Sequence, residues 1–353
     1  MLPRSCGGRM EDQLMMRKLI ATTALGVLAC TAPAMAQEEM TLKLAHIAPA
    51  THYLWEQGAK PFTEAVTEST GGRVRFDVYP AGQLGKDYIS ILNSGIADVV
   101  FFVANYAPDK FPLTSVVELP SPYKTSCEAT ARFWDLAQDG GLLNEQEYKP
   151  QGIHVLFVSS LRPYTVMTTG KQVTGLGDVA GLKLRANGAA MDKAVRALGG
   201  VPVRVPSPEA YDALTRGTVD GGVYSYLSLP EFKLDQVFHH AVDGVQIGSP
   251  GIVFAMSERG WERLPEDVKA AMTEAALPAQ EGLCAWQDAE ETKVRDRLVA
   301  EQGFTVNTLS AEEAAQWNER LATVASVWLD ELKAVGKDGE ALLQAYMGDP
   351  ATN

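Results

Sequence analysis

Apolar and polar side chains alternate along Met40 to Ile47 (MTLKLAHI) and again along Arg73 to Tyr79 (RVRFDVY). A two-residue period puts one face in a core and the other in water, so both stretches predict half-buried strands. Ala97 to Val103 (ADVVFFV) is apolar without a break, which predicts a strand covered on both faces. Helical spacing over 53–68, stopped by Gly71-Gly72, and over 86–93 predicts helices between these strands. The alternation of elements continues with a helix over 128–137, then strands over 154–158, 164–168 and 181–185. A helix over 190–198 stops at Gly199-Gly200. After it come a strand over 201–205, a helix over 208–215 with Pro208 in its first turn, and a strand over 223–226. Strands and helices in turn predict an α/β fold.

The last third is mainly helical. Residues 265–301 predict either one helix of about ten turns or two pieces bent at Pro278. Ser310-Ala311-Glu312-Glu313 is a capping box. After it Trp317, Leu321, Val324, Trp328 and Leu332 fall on one helical stripe, which reads as core packing.

The N-terminus has a different pattern. Arg17 and Lys18 precede an uncharged run from Leu19 to Ala29, followed by Ala34-Met35-Ala36 and then Gln37-Glu38-Glu39. That is the three-part layout of a secretory signal peptide cleaved near Ala36, with Met15 or Met16 as the true start rather than Met1. Val27-Leu28-Ala29-Cys30 loosely matches a lipoprotein box, a second processing option. No later stretch has the 18 or so consecutive apolar residues of a membrane span, so the mature chain is expected to be soluble and periplasmic.

Composition narrows the function. The 353-residue chain is 46% hydrophobic and 21% charged, ordinary for a globular protein of two domains. Its formal net charge is −13, and removing residues 1–36 makes it more acidic still. Such a surface repels phosphate backbones, so nucleic acid is excluded as a partner. A small anion is not excluded, because a local arginine outweighs a distant acidic surface. Cys127 and Cys284 remain in the mature chain, either as a disulfide or as two buried free thiols.

Motifs for catalysis are missing: there is no H-E-x-x-H, no G-x-S-x-G, no P-loop and no dinucleotide fingerprint after the first strand. No enzyme activity, cofactor or metal is expected. Of the five histidines, His46 stands out because it ends the first strand, where α/β sheets hold ligands. Arg185 ends the strand Gly-Leu-Lys-Leu-Arg directly before Ala186-Asn187-Gly188, and Arg162 lies between two predicted strands. A guanidinium at a strand's carboxyl end offers two parallel donors to a carboxylate. Tyr53, Trp55, Phe101, Phe102, Tyr106, Tyr224 and Tyr226 add aromatic faces near the predicted crevice.

Four stretches taken in order resemble the substrate-binding subunits of tripartite ATP-independent periplasmic (TRAP) transporters, the DctP family. They are Tyr79-Pro80-Ala81-Gly82-Gln83-Leu84-Gly85, then Gly95-Ile96-Ala97-Asp98, then Gly181 to Arg185 with Ala197 to Val203, and finally Glu209 to Gly221. The resemblance covers roughly residues 40–335. It implies a two-lobed periplasmic-binding-protein fold with a hinge of crossing strands and a long bracing helix. The organisation expected is an upstream extension and signal peptide over 1–36 and the first part of lobe I over 37–161. The main part of lobe II would cover 162–250. Residues 251–353 would supply a returning strand, the long helix shared by both lobes and the C-terminal helices. It also implies a ligand carboxylate gripped by Arg185, with Arg162 resembling a second basic position, and delivery to membrane-embedded TRAP permease subunits by a monomeric binding protein. Candidate ligand-binding residues are therefore Arg185, Arg162, Tyr224, Phe102, Tyr53, His46, Asn187 and Ser207. Where the family often follows Asp-Gly with Gln-Glu-Asn-Pro, this chain has Gly222-Val223-Tyr224-Ser225. A ring in place of a small polar group points to a monocarboxylate with an apolar or aromatic body. A binding subunit of an ATP-driven importer and a ligand-presenting sensor component are alternatives that perform the same act.

Overall fold

The computed structural model describes residues 38–348; the start, signal-peptide and lipoprotein-box readings fall outside that range. Within it β1 (Met40–His46) buries Leu42 and Leu44 as its alternation predicts, and β2 (Val74–Tyr79) lies parallel beside it. The apolar run becomes β3 (Val99–Val103), parallel to β1 on its other side. β4 (Ile153–Ser160) is buried throughout. The first sheet has the order β2-β1-β3-β10-β4, with β10 (Gly251–Ser257) antiparallel to both its neighbours.

A second sheet has the order β11-β9-β5-β8-β6-β7. It is built from β5 (Thr165–Thr168), β6 (Lys183–Ala186), β7 (Val201–Arg204), β8 (Gly221–Tyr224), β9 (His240–Asp243) and β11 (Thr305–Thr308). The two sheets are the centres of two lobes. Extended segments cross between them from β4 to β5 and from β9 to β10, and a helix carries the chain back from β10 to β11. The crossing segments pair with each other: Tyr164 N donates to Gly248 O at 2.7 Å, and Ile247 N donates to Tyr164 O at 3.1 Å. This is the hinge that the resemblance implies.

Residues 265–301 form one helix, Glu266–Gln302, with Pro278 inside it. Proline in a helix costs ~3 kcal/mol, and burying each large apolar side chain returns about 1.5–3 kcal/mol. Met272 and Leu283, fully buried on either side of Pro278, are enough to keep the helix whole. Its first part packs on helix Lys60–Ser69 and β4, where Gln280 Oε1 accepts from Val158 N at 3.0 Å. Its last part puts Val294 and Leu298 into the core of the second lobe. Cys127 and Cys284 are joined, tying helix Ser126–Ala137 to the long helix. Asp288 reinforces the same junction, accepting from Ser126 N at 2.6 Å and Cys127 N at 3.1 Å. The predicted Ser310 capping box starts helix Ala311–Ala334, and its stripe from Trp317 to Leu332 is buried. No helix among the described residues is long and apolar enough to cross a membrane.

Candidate functional site

Arg185 is fully buried at the carboxyl half of β6, opposite Gly222 of β8. Its Nε donates to Val205 O at 2.7 Å and its Nη2 to Ser207 Oγ at 3.0 Å; Nη1 makes a longer bond of 3.4 Å to Val223 O. The guanidinium carbon stands 4.3 Å from the centre of the Tyr224 ring, a cation–π contact. Gly222 makes room for that pair, since a Cβ there would lie 3.0 Å from Arg185 Cβ and 3.1 Å from Tyr224 Cε2. Among the described residues no Asp or Glu pairs with Arg185. A guanidinium has five N–H donors; three are engaged by protein, leaving one on each terminal nitrogen.

Other side chains gather round this cation. Ser207 opens helix Ser207–Thr215, and its backbone N donates across the lobes to Tyr106 Oη at 3.1 Å. Tyr164, on the first crossing segment, stacks on Tyr224 with ring centres 6.0 Å apart. Burial raises the Tyr224 hydroxyl to about 12, with Arg185 pulling it down; that hydroxyl and Asn187 Oδ1 are buried without a hydrogen-bond partner. Arg185, Tyr224 and Ser207 are thus in direct contact, with Asn187 two residues beyond.

The first lobe contributes aromatic and imidazole groups. His46 is fully buried, stacked on Phe101 at 4.3 Å and on Trp55 at 5.9 Å, with neither ring nitrogen partnered. Burial pushes it down to about 4. Burial, and then the neighbouring His46, push His52 down to about 3. Tyr53 is buried against Trp286, and its hydroxyl is held high by burial first and by Tyr164 next. The lobes are closed on one another here. The His52 and Phe232 rings lie 5.2 Å apart, Lys86 pairs with Glu209 at 3.2 Å, and burial raises Glu231 to about 7 against the Tyr53 backbone N–H.

Two candidates lie apart from this group. Phe102 turns to the opposite face of β3 from Phe101 and packs on Phe111 at 5.3 Å. Arg162 donates from Nε to Lys124 O at 3.0 Å and from Nη1 to Thr292 Oγ1 at 3.5 Å. It lines a cavity of about 1190 Å3 between the crossing segments, the long helix and the C-terminal helices, which also reaches Tyr224. Tyr164, which stacks on Tyr224, is not predicted by sequence reasoning, which names Phe101 only together with Phe102 as a crevice aromatic. A hydroxyl-bearing ring between two strand patterns is the signal for Tyr164, whereas nothing local separates Phe101 from Phe102. Among the described residues no cluster of His, Cys, Asp and Glu is placed to hold a metal ion.

Comparison with known proteins agrees with this architecture. Residues 44–330 match the family described as bacterial extracellular solute-binding protein, family 7 (DctP). The chain is 29% identical over 311 residues to the C4-dicarboxylate-binding periplasmic protein DctP of Rhodobacter capsulatus, covering 87% of this chain and 91% of that one. It is similar to a TRAP solute-binding protein of Rhodoferax ferrireducens solved with copurified benzoate. There the TM-score is 0.80 at 25% identity, with 87% of this chain and 96% of the other covered. It is also similar to a TRAP periplasmic solute-binding protein of Bordetella bronchiseptica with bound (R)- and (S)-mandelate. Here the TM-score is 0.78 at 26% identity, with coverage of 87% and 97%. With four-fifths of its length matched to one family and both lobes superimposable on solved members, this chain belongs to the TRAP solute-binding proteins of the DctP family, a family of binding proteins rather than enzymes.

Proposed function

We propose that the protein binds a small organic monocarboxylate with an aromatic or apolar body, and delivers it in the periplasm to membrane-embedded TRAP permease subunits. The observation that carries this reading is the Arg185 guanidinium, buried in the second lobe and bonded only to neutral acceptors among the described residues. A buried cation without a counter-charge is costly. A ligand carboxylate taking the remaining N–H on Nη1 and Nη2 would offset that cost with two parallel charge-assisted bonds. Tyr224 and Tyr164 then offer flat faces to the organic body, and His46 and Asn187 offer unpartnered polar atoms for a further substituent. Benzoate in one relative and mandelate in another fit an aromatic acid, while the C4-dicarboxylate-binding relative makes a simple dicarboxylate the competitor to test. Lobe closure supplies the affinity, because the Tyr106–Ser207 contact joins residues of opposite lobes.

Native mass spectrometry of the purified protein identifies any copurified acid, and a calorimetric screen compares benzoate-like with succinate-like acids. Binding of benzoate-like acids is expected. Failure of these with tight binding of succinate overturns the ligand class. N-terminal sequencing of the exported protein tests cleavage near Ala36.

A further inference from the structure

Glu118 is the last residue of the turn Thr114–Glu118, which packs on β10 of the first sheet. Its side chain is fully buried and reaches an element of the second lobe: Oε2 accepts from Ala190 N at 3.0 Å. Ala190 lies in the first turn of helix Ala189–Ala197, whose N-cap is Gly188 and which has no side-chain cap of its own. A Cβ at Gly188 would overlap the Glu118 carboxyl, and one at Gly248 would overlap the Glu118 carbonyl. The acid is therefore wedged between the second crossing segment and the corner that follows β6. That corner reads Arg185-Ala186-Asn187-Gly188, so it carries the guanidinium at its start.

The charges around Glu118 are already used. Helix Ala189–Ala197 presents Asp192 and Lys193, the end of β7 presents Arg204, and helix Ala311–Ala334 presents Glu331. Arg204 pairs with Asp192 at 2.6 Å and Lys193 with Glu331 at 2.6 Å. Two further elements pack on the turn that holds Glu118: Ala104–Tyr106 carries the phenol Tyr106, and helix Glu340–Met347 carries the buried Tyr346 and the exposed Glu340. Both nearby cations, Lys193 and Arg204, are thus paired with other acids, the second oxygen of Glu118 is buried without a partner, and a neutral acid suits such a place.

We propose that Glu118 is a positioning residue for ligand binding: as a neutral acid reaching from the first lobe, it holds the corner after β6 and thereby the aim of Arg185. Burial pushes its carboxyl up to about 8, opposed by the Ala190 N–H. A carboxyl whose folded value lies above the ordinary one contributes stability fully below that ordinary value and loses it as pH rises through the folded value. The corner is thus firmest in mild acid and loosens steadily as pH rises from about 4.5 to about 8.

The test is amide exchange of the Ala190 segment in the ligand-free full-length mature protein, corrected for intrinsic rates, from about pH 6 to about pH 9. In the wild type, protection should fall by roughly tenfold or more across that range. Glu118→Gln, which keeps the acceptor and cannot ionise, should hold the segment protected with a flat profile, and Glu118→Ala should leave it unprotected throughout. Parallel decline in wild type and Glu118→Gln overturns the proposal, as does full protection in Glu118→Ala. If Glu118→Ala does not fold, the first comparison decides alone. A second arm measures benzoate affinity over the same range and rests on the ligand reading above. Wild-type affinity should fall towards alkaline pH and that of Glu118→Gln should not. Absence of benzoate binding at any pH counts against that ligand reading, while the exchange result still decides the role of Glu118.

Discussion

Replacing Arg185 by lysine keeps the charge and removes the fork. Three protein acceptors hold the guanidinium in place: Val205 O at 2.7 Å, Ser207 Oγ at 3.0 Å and Val223 O at 3.4 Å. They orient it so that one N–H on each terminal nitrogen remains for a ligand. A lysine ammonium has three donors on one atom and cannot serve these acceptors and two carboxylate oxygens at once. The loss is about one charge-assisted hydrogen bond to the ligand, ~1.5–3 kcal/mol, or roughly 10- to 150-fold in affinity. Isothermal titration with the acid found by native mass spectrometry, on protein stripped of ligand by unfolding and refolding, measures it. Thermal melting of the ligand-free variant separates a weakened fold from a weakened site. Ser207→Ala, which removes one neutral acceptor, should cost only ~0.5–1.5 kcal/mol. Affinity of Arg185→Lys within about threefold of wild type, in a folded protein, would refute the carboxylate assignment.

Tyr224→Asn restores the small polar group that the family often carries; it should weaken binding of aromatic acids about tenfold by removing the ring face and the cation–π contact, and equal affinity for benzoate in wild type and variant would argue against that role. Replacing both Cys127 and Cys284 by serine opens a link between residues 157 apart in sequence, and chain entropy puts the stabilisation lost at up to about 5 kcal/mol. Urea denaturation of the double variant should show a clearly lower midpoint; an unchanged midpoint would contradict the link's role. His46 is kept neutral by burial, with its value down near 4 against an ordinary 6.5. The unfolded chain therefore takes up a proton first, and stability is lost as pH falls from about 6.5 towards 4, by up to ~3 kcal/mol. His46→Phe keeps the stack between Trp55 and Phe101 and should gain on wild type steadily as pH falls from about 7 to about 5. Parallel urea midpoints over that range would exclude His46 as the source.

Local periodicity made most of the fold legible, and its misses are where contacts distant in sequence decide. The alternation at Met40 to Ile47 and the capping box at Ser310 are local facts, and both survive folding unchanged. Pro278 left two readings of the long helix because its cost is local, whereas the burial of Met272 and Leu283 comes from the other elements of the lobe. β11 (Thr305–Thr308) has no alternation to read, since it is an edge strand with neither face fully covered. The site shows the same division more sharply. Arg185 was legible because a strand end is a local position. The choice between Phe101 and Phe102 was not, because a strand apolar on both faces carries no parity signal. The register pairing His46 with Phe101 settles which ring accompanies the histidine. Glu118 is the extreme case. In Val-Val-Glu-Leu-Pro it resembles any acid at the edge of a turn, yet it is fully buried because a helix with no cap of its own, 71 residues further along the chain, ends its backbone against it. A lone acid within an apolar run is the one trace such a contact leaves. Its meaning depends on an unpartnered helix N-terminus elsewhere, so the pairing becomes visible only when the two lobes are seen together.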